Sequence, residues 1–183
     1  MPLKSTPDRY GTVAMTIHWL TALLIIGVLA LGLNLDDAET DEIRRTLLVP
    51  HIALGLTILV LTLFRIFWWA FADRKPAPLA AVPSLQTRLA IIVHTLIYAA
   101  ILILATSGIA TSIMGGVGDA LITGAPIPDL DEVPPRAVHG LLAYLFMLLL
   151  VLHVGAALYH HFIRRDSLLA RMGIGKLTGR SES

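Results

Sequence analysis

The chain has 183 residues, of which 56% are hydrophobic and only 15% charged. That balance is too apolar for an ordinary soluble domain, and the length suits one compact bundle without a separate soluble part. Cysteine is absent, which excludes disulfides, thiolate-held iron–sulfur clusters and covalent c-type haem attachment; a formal net charge of +1 gives no reason to expect nucleic acid as a partner.

Residues 1–11 are polar and read as a short tail. The first apolar run, Thr12 to Leu35, is about as long as a bilayer requires. It is long for the core of a cleaved signal peptide and lacks a small-x-small cleavage site, so it is retained as a span. An acidic loop, Asp36 to Arg45, follows. The second span runs from Thr46 to Phe71, with Pro50 tolerable in its first turn. Phe64, Phe67, Trp68, Trp69 and Phe71 close it, rings of the kind that mark a membrane–water interface. Arg65 near that end can snorkel or pair with an anionic cofactor group.

A Pro-rich basic connector, Asp73 to Arg88, leads to the third span, Leu89 to Met114. Residues 115–136 form a longer acidic loop with four prolines. The fourth span covers about 136–163, inside the stretch PPRAVHGLLAYLFMLLLVLHVGAALYHHFIRR, and a basic tail, 164–183, ends the chain. Ser167–Met172 suits a short amphipathic surface helix. The expectation is a single all-α membrane domain, 1–183, built as a four-helix bundle. The N-terminus, the second loop and the C-terminus hold 11 of the 14 basic residues, whereas the other two loops hold Arg44, Arg45 and Arg136 with nine of the 13 acids. By the positive-inside rule both termini face the cytoplasm.

Histidines lie inside these apolar runs, where imidazoles are costly unless something needs them. His139 and His153 are two heptads apart, so on a helix they face the same way, about 21 Å apart along the axis at ~1.5 Å per residue. Alternating span direction places His51 with His139 at an outer level, and His18, His94 and His153 at an inner one. A bis-histidine haem needs two imidazoles on facing helices at one depth. His51 and His139 meet that requirement without competition; His153 has two candidate partners, His18 and His94. Gly55, Gly140, Gly155, Ala156 and Ala157 would let a flat macrocycle approach the backbone. A proton relay would not require the two-level pairing, and zinc transport would want carboxylates, which no expected span carries. His160, seven residues after His153, sits where it could hydrogen-bond a quinone carbonyl or shuttle its proton. Thr16 could add a hydroxyl, and Trp19 could pack on a haem edge.

These residues resemble the bacterial cytochrome b561 family, small di-haem membrane proteins that include the superoxide oxidase type. The resemblance covers nearly the whole chain. It rests on TIHWL (16–20), the PHIALGLTILVL run followed by Arg65, HTLIY (94–98), and the stretch from His139 to Met172. It implies two b haems, one held by His18 and His153 on the inner side and one by His51 and His139 on the outer side. His94 then becomes a hydrogen-bonding neighbour of the inner haem or part of a quinone pocket, and Arg65 a propionate partner. It also implies a multi-pass protein of the bacterial inner membrane, with lipid around it and ubiquinone as electron acceptor. The activity expected is electron transfer between a periplasmic-side donor, superoxide or another redox partner, and that quinone, by way of His160. The alternative is an electron-relay subunit of a larger dehydrogenase or hydrogenase. The acidic outer loops work against collecting an anion such as superoxide, which makes a cationic protein donor a rival.

Overall fold

The computed structural model describes residues 2–78 and 82–175. It is all-α, and four of its helices are long and apolar enough to cross a membrane. Helix α1 is Thr12–Asp36. Helix α2, Asp41–Phe67, continues into a wider π turn at Trp68–Ala72. Helix α3 is Ser84–Met114. The short α4 is Val117–Thr123. Helix α5, Pro134–Tyr159, also finishes in a π turn, His160–Arg164, and α6 is the single turn Leu168–Arg171. The long helices carry large apolar side chains outward; Ile26 and Val151 are each 68% exposed. Such surfaces are stable only in hydrocarbon, where the helical backbone satisfies its own polar groups.

Several boundaries differ from the sequence expectation. Helix α2 begins at Asp41, not Thr46, because Thr40 caps it: the Ile43 amide donates to Thr40 Oγ1 (3.2 Å), and Asp41 and Glu42 occupy the first turn. Pro50 is consequently inside the helix, not in its first turn, and removes one main-chain bond there. Helix α3 begins at Ser84, taking in the end of the expected connector. The loop after α3 contains α4, framed by Gly116 and Gly124 at positive φ. Of the expected 167–172 surface helix only Leu168–Arg171 is helical; the tail beyond Gly175 lies outside the described residues.

The chain forms two compact units. One comprises residues 1–20, 63–97 and 148–183, the other 21–62 and 98–147. In the second unit Val117 and Ala120 of α4 are buried with Leu48 and Ile127, and Leu35, Ile52, Leu121 and Leu130 pack around them. Polar ties hold this cap in place. The Ile127 amide donates to Asp41 Oδ1 (2.6 Å), and the Arg45 guanidinium donates to the carbonyls of Ala120 (3.3 Å) and Ala125. The first unit draws its N-terminal and C-terminal segments together. Arg171, 5% exposed, donates to the carbonyls of Asp8 (3.2 Å) and Pro7 (3.0 Å), while the Tyr10 amide donates to Arg171's own carbonyl (3.2 Å). Charge divides along the same lines. The described residues of the first unit carry nine basic and three acidic side chains; the second unit carries three basic and nine acidic.

Candidate functional site

The second unit brings His51 of α2 and His139 of α5 together, with ring centroids 6.1 Å apart. Each imidazole is oriented by main chain. His51 Nδ1 lies 3.1 Å from the Val28 carbonyl oxygen, and His139 Nδ1 lies 2.9 Å from that of Leu104. A carbonyl can only accept, so Nδ1 carries the proton in both rings and Nε2 is left as the lone-pair nitrogen. Ser107 Oγ sits 3.2 Å from His139 Nδ1 and donates its own proton to the Leu104 carbonyl (3.0 Å), closing a small triangle around that N–H.

Two glycines make this orientation possible. A Cβ on Gly32 would meet His51 Cε1 at 3.0 Å, and one on Gly108 would meet His139 Cε1 at 3.2 Å. Neither glycine was singled out in the sequence, because a lone glycine in an apolar run carries no periodic signal. Of those that were, a Cβ on Gly55 or Gly155 would meet nothing within 4 Å, and one on Gly140 would face the Arg136 guanidinium at 3.0 Å.

The first unit gathers His18 of α1, Arg65 of α2, His94 of α3 and His153 of α5. The His18 and His153 ring centroids are 6.3 Å apart, those of His94 and His153 only 4.9 Å. His94 Nδ1–H donates to the Ala90 carbonyl (2.6 Å) on its own helix. The Arg65 guanidinium donates to His18 Nδ1 (3.1 Å). Trp19 lies edge-on to His18, 5.0 Å between centroids, and its indole N–H donates to the Met172 carbonyl (2.9 Å). Thr16 is exposed; two residues from His18, it lies about 200° around the helix from it.

His160, in the π turn after α5, is buried, with Nδ1 2.5 Å from Asp166 Oδ2. Arg165, in the left-handed region at φ 52°, reverses the chain so that Asp166 returns to the imidazole, and Asp166 Oδ1 accepts the Leu168 amide (3.2 Å). The sequence reading missed Asp166, which lies just beyond the apolar run. An acidic residue six positions after a histidine at a helix exit is the signal that would have found it.

The arginines expected at the outer side are engaged with acids. Arg136 pairs with Asp36, and Arg45 lies 3.7 Å from Asp41.

A model of the family described as prokaryotic cytochrome b561 matches residues 9–175. Cytochrome b561 homolog 2 of Escherichia coli (strain K12) is 28% identical, over 96% of this chain and 96% of that one. The probable superoxide oxidase CybB of Yersinia pestis is 29% identical, over 90% of this chain and 95% of that one. Cytochrome b561 homolog 1 of Escherichia coli (strain K12) is 26% identical, over 90% and 97%.

Proposed function

The chain belongs to the prokaryotic cytochrome b561 family, bacterial membrane cytochromes for which b-type haem and electron transfer are implied, and from that premise we propose a di-haem quinone-linked oxidoreductase. In this reading His51 with His139 hold one haem and His18 with His153 the other. Both termini lie on the cytoplasmic side of the inner membrane. Electrons pass from a periplasmic-side donor, superoxide among them, to ubiquinone near His160.

The observation that carries the reading is the His51–His139 pair. About 2 Å from a metal to each ring nitrogen and about 1 Å more to each ring centre puts two opposed imidazoles roughly 6 Å apart. The pairs at 6.1 and 6.3 Å suit that spacing, whereas 4.9 Å between His94 and His153 is too short. The Nδ1–H bonds to main chain favour it further, since they turn Nε2 into the ligand and raise its basicity. A b haem held by two imidazoles has no open iron position and supplies one-electron transfer at its edge.

At the inner pair, coordination through Nε2 would place a proton on His18 Nδ1. That nitrogen would then stop accepting from Arg65, whose guanidinium would turn to an anionic partner such as a propionate. His94 stands beside His153 as a neighbour and not a ligand. In the same unit His160 and Asp166 form a proton-handling pair. Asp166 orients Nδ1–H and leaves Nε2 to meet a quinone carbonyl. The overall balance is simple: two superoxide anions each lose one electron and leave as O₂, and ubiquinone takes two electrons and two protons to become ubiquinol. One of the relatives is named a probable superoxide oxidase, which supports superoxide as donor.

Pairing of Arg136 and Arg45 with carboxylates, within a unit of nine acids and three bases, favours a second donor. A cationic redox protein would be drawn to this face, with the chain acting as the relay subunit of a larger complex. The deciding measurement is haem content per polypeptide of the detergent-purified protein with its reduced-minus-oxidised spectrum, followed by quinone reduction with superoxide as donor. Two b haems with superoxide-driven turnover uphold the first reading. Two haems with turnover only from a cationic carrier uphold the second, and absence of haem overturns both.

A further inference from the structure

A pocket of about 450 Å³ opens in the first unit between the N-terminal segment and the π turn that ends α2, lined by Lys4, Ser5, Trp69–Ala72, Asp73 and Arg74. Nothing in the electron-transfer reading uses it. Its chemistry is lopsided. Lys4 and the Arg74 side chain make no hydrogen bond or ion pair among the described residues, and the ammonium of Lys75 stands 5.8 Å over the Trp69 ring.

The one acid in the wall is already committed. Asp73 accepts from the Ser5 amide (3.1 and 3.0 Å), the Ser5 hydroxyl (2.8 Å), the Trp68 indole (3.3 Å) and the Arg74 amide (2.8 Å). Burial pushes its carboxyl upward, but the Ser5 hydroxyl and the amides and indole around it outweigh that and hold it below the ordinary carboxylate value. Burial and the Arg65 charge lower the Lys75 ammonium, the mark of positive charge crowded into a partly dry site.

The indole N–H of Trp69 is enclosed and has no hydrogen-bond partner. A donor left without an acceptor is unfavourable, and with Lys4 and Arg74 in the same wall the acceptor that fits is an anionic oxygen. Trp69 belongs to the aromatic group Phe67, Trp68, Trp69 and Phe71, where rings commonly sit at headgroup level, and Phe71 is 78% exposed.

We propose that this pocket binds a phosphate group, with Lys4 and Arg74 neutralising it, the Trp69 indole N–H donating to one of its oxygens, and a membrane phospholipid headgroup or free phosphate as its source.

The test is native mass spectrometry of the haem-loaded, detergent-purified protein. It is titrated separately with dioctanoyl phosphatidylglycerol, with dioctanoylglycerol, which lacks the phosphate, and with inorganic phosphate. Phosphatidylglycerol is expected to bind and dioctanoylglycerol not. Lys4→Gln should weaken binding about fivefold and Lys4→Gln/Arg74→Gln about 25-fold, and Trp69→Phe about tenfold. Lys4 lies outside every helix and Trp69→Phe keeps the ring, so both leave the fold and the haem spectrum as controls. Saturation by inorganic phosphate alone, with the same residue dependence, assigns the site to the free anion. Equal binding of every probe to wild type and variants overturns the site.

Discussion

Nδ1 of His160 and Oδ2 of Asp166 are 2.5 Å apart, with both side chains almost wholly enclosed. The pair exists because the helix ends in a π turn and Arg165 bends the chain back, so the carboxylate approaches the imidazole from beyond the helix. Such a partner fixes which nitrogen carries the proton and steadies the imidazolium when it forms. Replacing Asp166 by Asn should leave haem content unchanged and lower quinone turnover at least tenfold, with the pH profile of turnover displaced. Quinone kinetics identical to wild type would remove the pair from the mechanism.

His139 and His51 supply a sharper test. His139→Ala should remove one haem per chain and leave the other with an unaltered spectrum, because in the proposed reading each haem has its own pair of histidines. Pyridine-haemochrome quantitation against protein reads the result directly. Loss of both haems, or of neither, from a folded protein rejects the pairing.

Gly32 tests the geometry without touching a ligand. A Cβ there would stand 3.0 Å from His51 Cε1, and the ring is fixed by the bond from its Nδ1 to the Val28 carbonyl, one turn before Gly32 on the same helix. Gly32→Val should shift the midpoint potential or lower the occupancy of one haem and reduce Tm by several degrees. A variant indistinguishable from wild type in spectrum, potential and Tm would mean that the ring has slack.

Asp73 offers a stability test with a defined sign. Its folded-state pKa lies below the ordinary value, so its contribution is complete above about pH 4. That contribution is lost as pH falls through the depressed folded value. Asp73→Asn should therefore cost about 1 kcal/mol near pH 7, read as a drop in Tm. The gap between variant and wild type should close in strongly acidic buffer, and a gap independent of pH would assign the effect to packing alone.

The spans were legible because apolar runs of sufficient length leave little freedom: hydrocarbon forces helix, and the charges mark its ends. That His51 would meet His139, and His18 and His94 would meet His153, was legible for the same reason, since a polar ring in such a run stands out. What escaped was everything set by local main-chain geometry. Thr40 as a cap moved the start of α2 by a turn. The small helix α4 is stabilised by burying Val117 and Ala120 against Leu48 and Ile127, long-range contacts with no periodic trace in seven residues. Gly32, Gly108, Ser107 and the carbonyls of Val28 and Leu104 act through positions on neighbouring helices, so their relation to His51 and His139 exists only once those helices are packed.

Arg171 reaches back to Pro7 and Asp8, and Ser5 is tied to Asp73. Residues 5–8 leave the ribosome before any helix, yet their partners emerge after the second and the last long helices. This end of the protein therefore closes in two stages, the Ser5–Asp73 tie once the second long helix is made and the Arg171 contacts only after the last. A chain stalled or truncated before Leu168 would keep the Ser5–Asp73 tie but lack the Arg171 contacts to Pro7 and Asp8. A terminal segment fastened at one point instead of two is the more open to proteolysis.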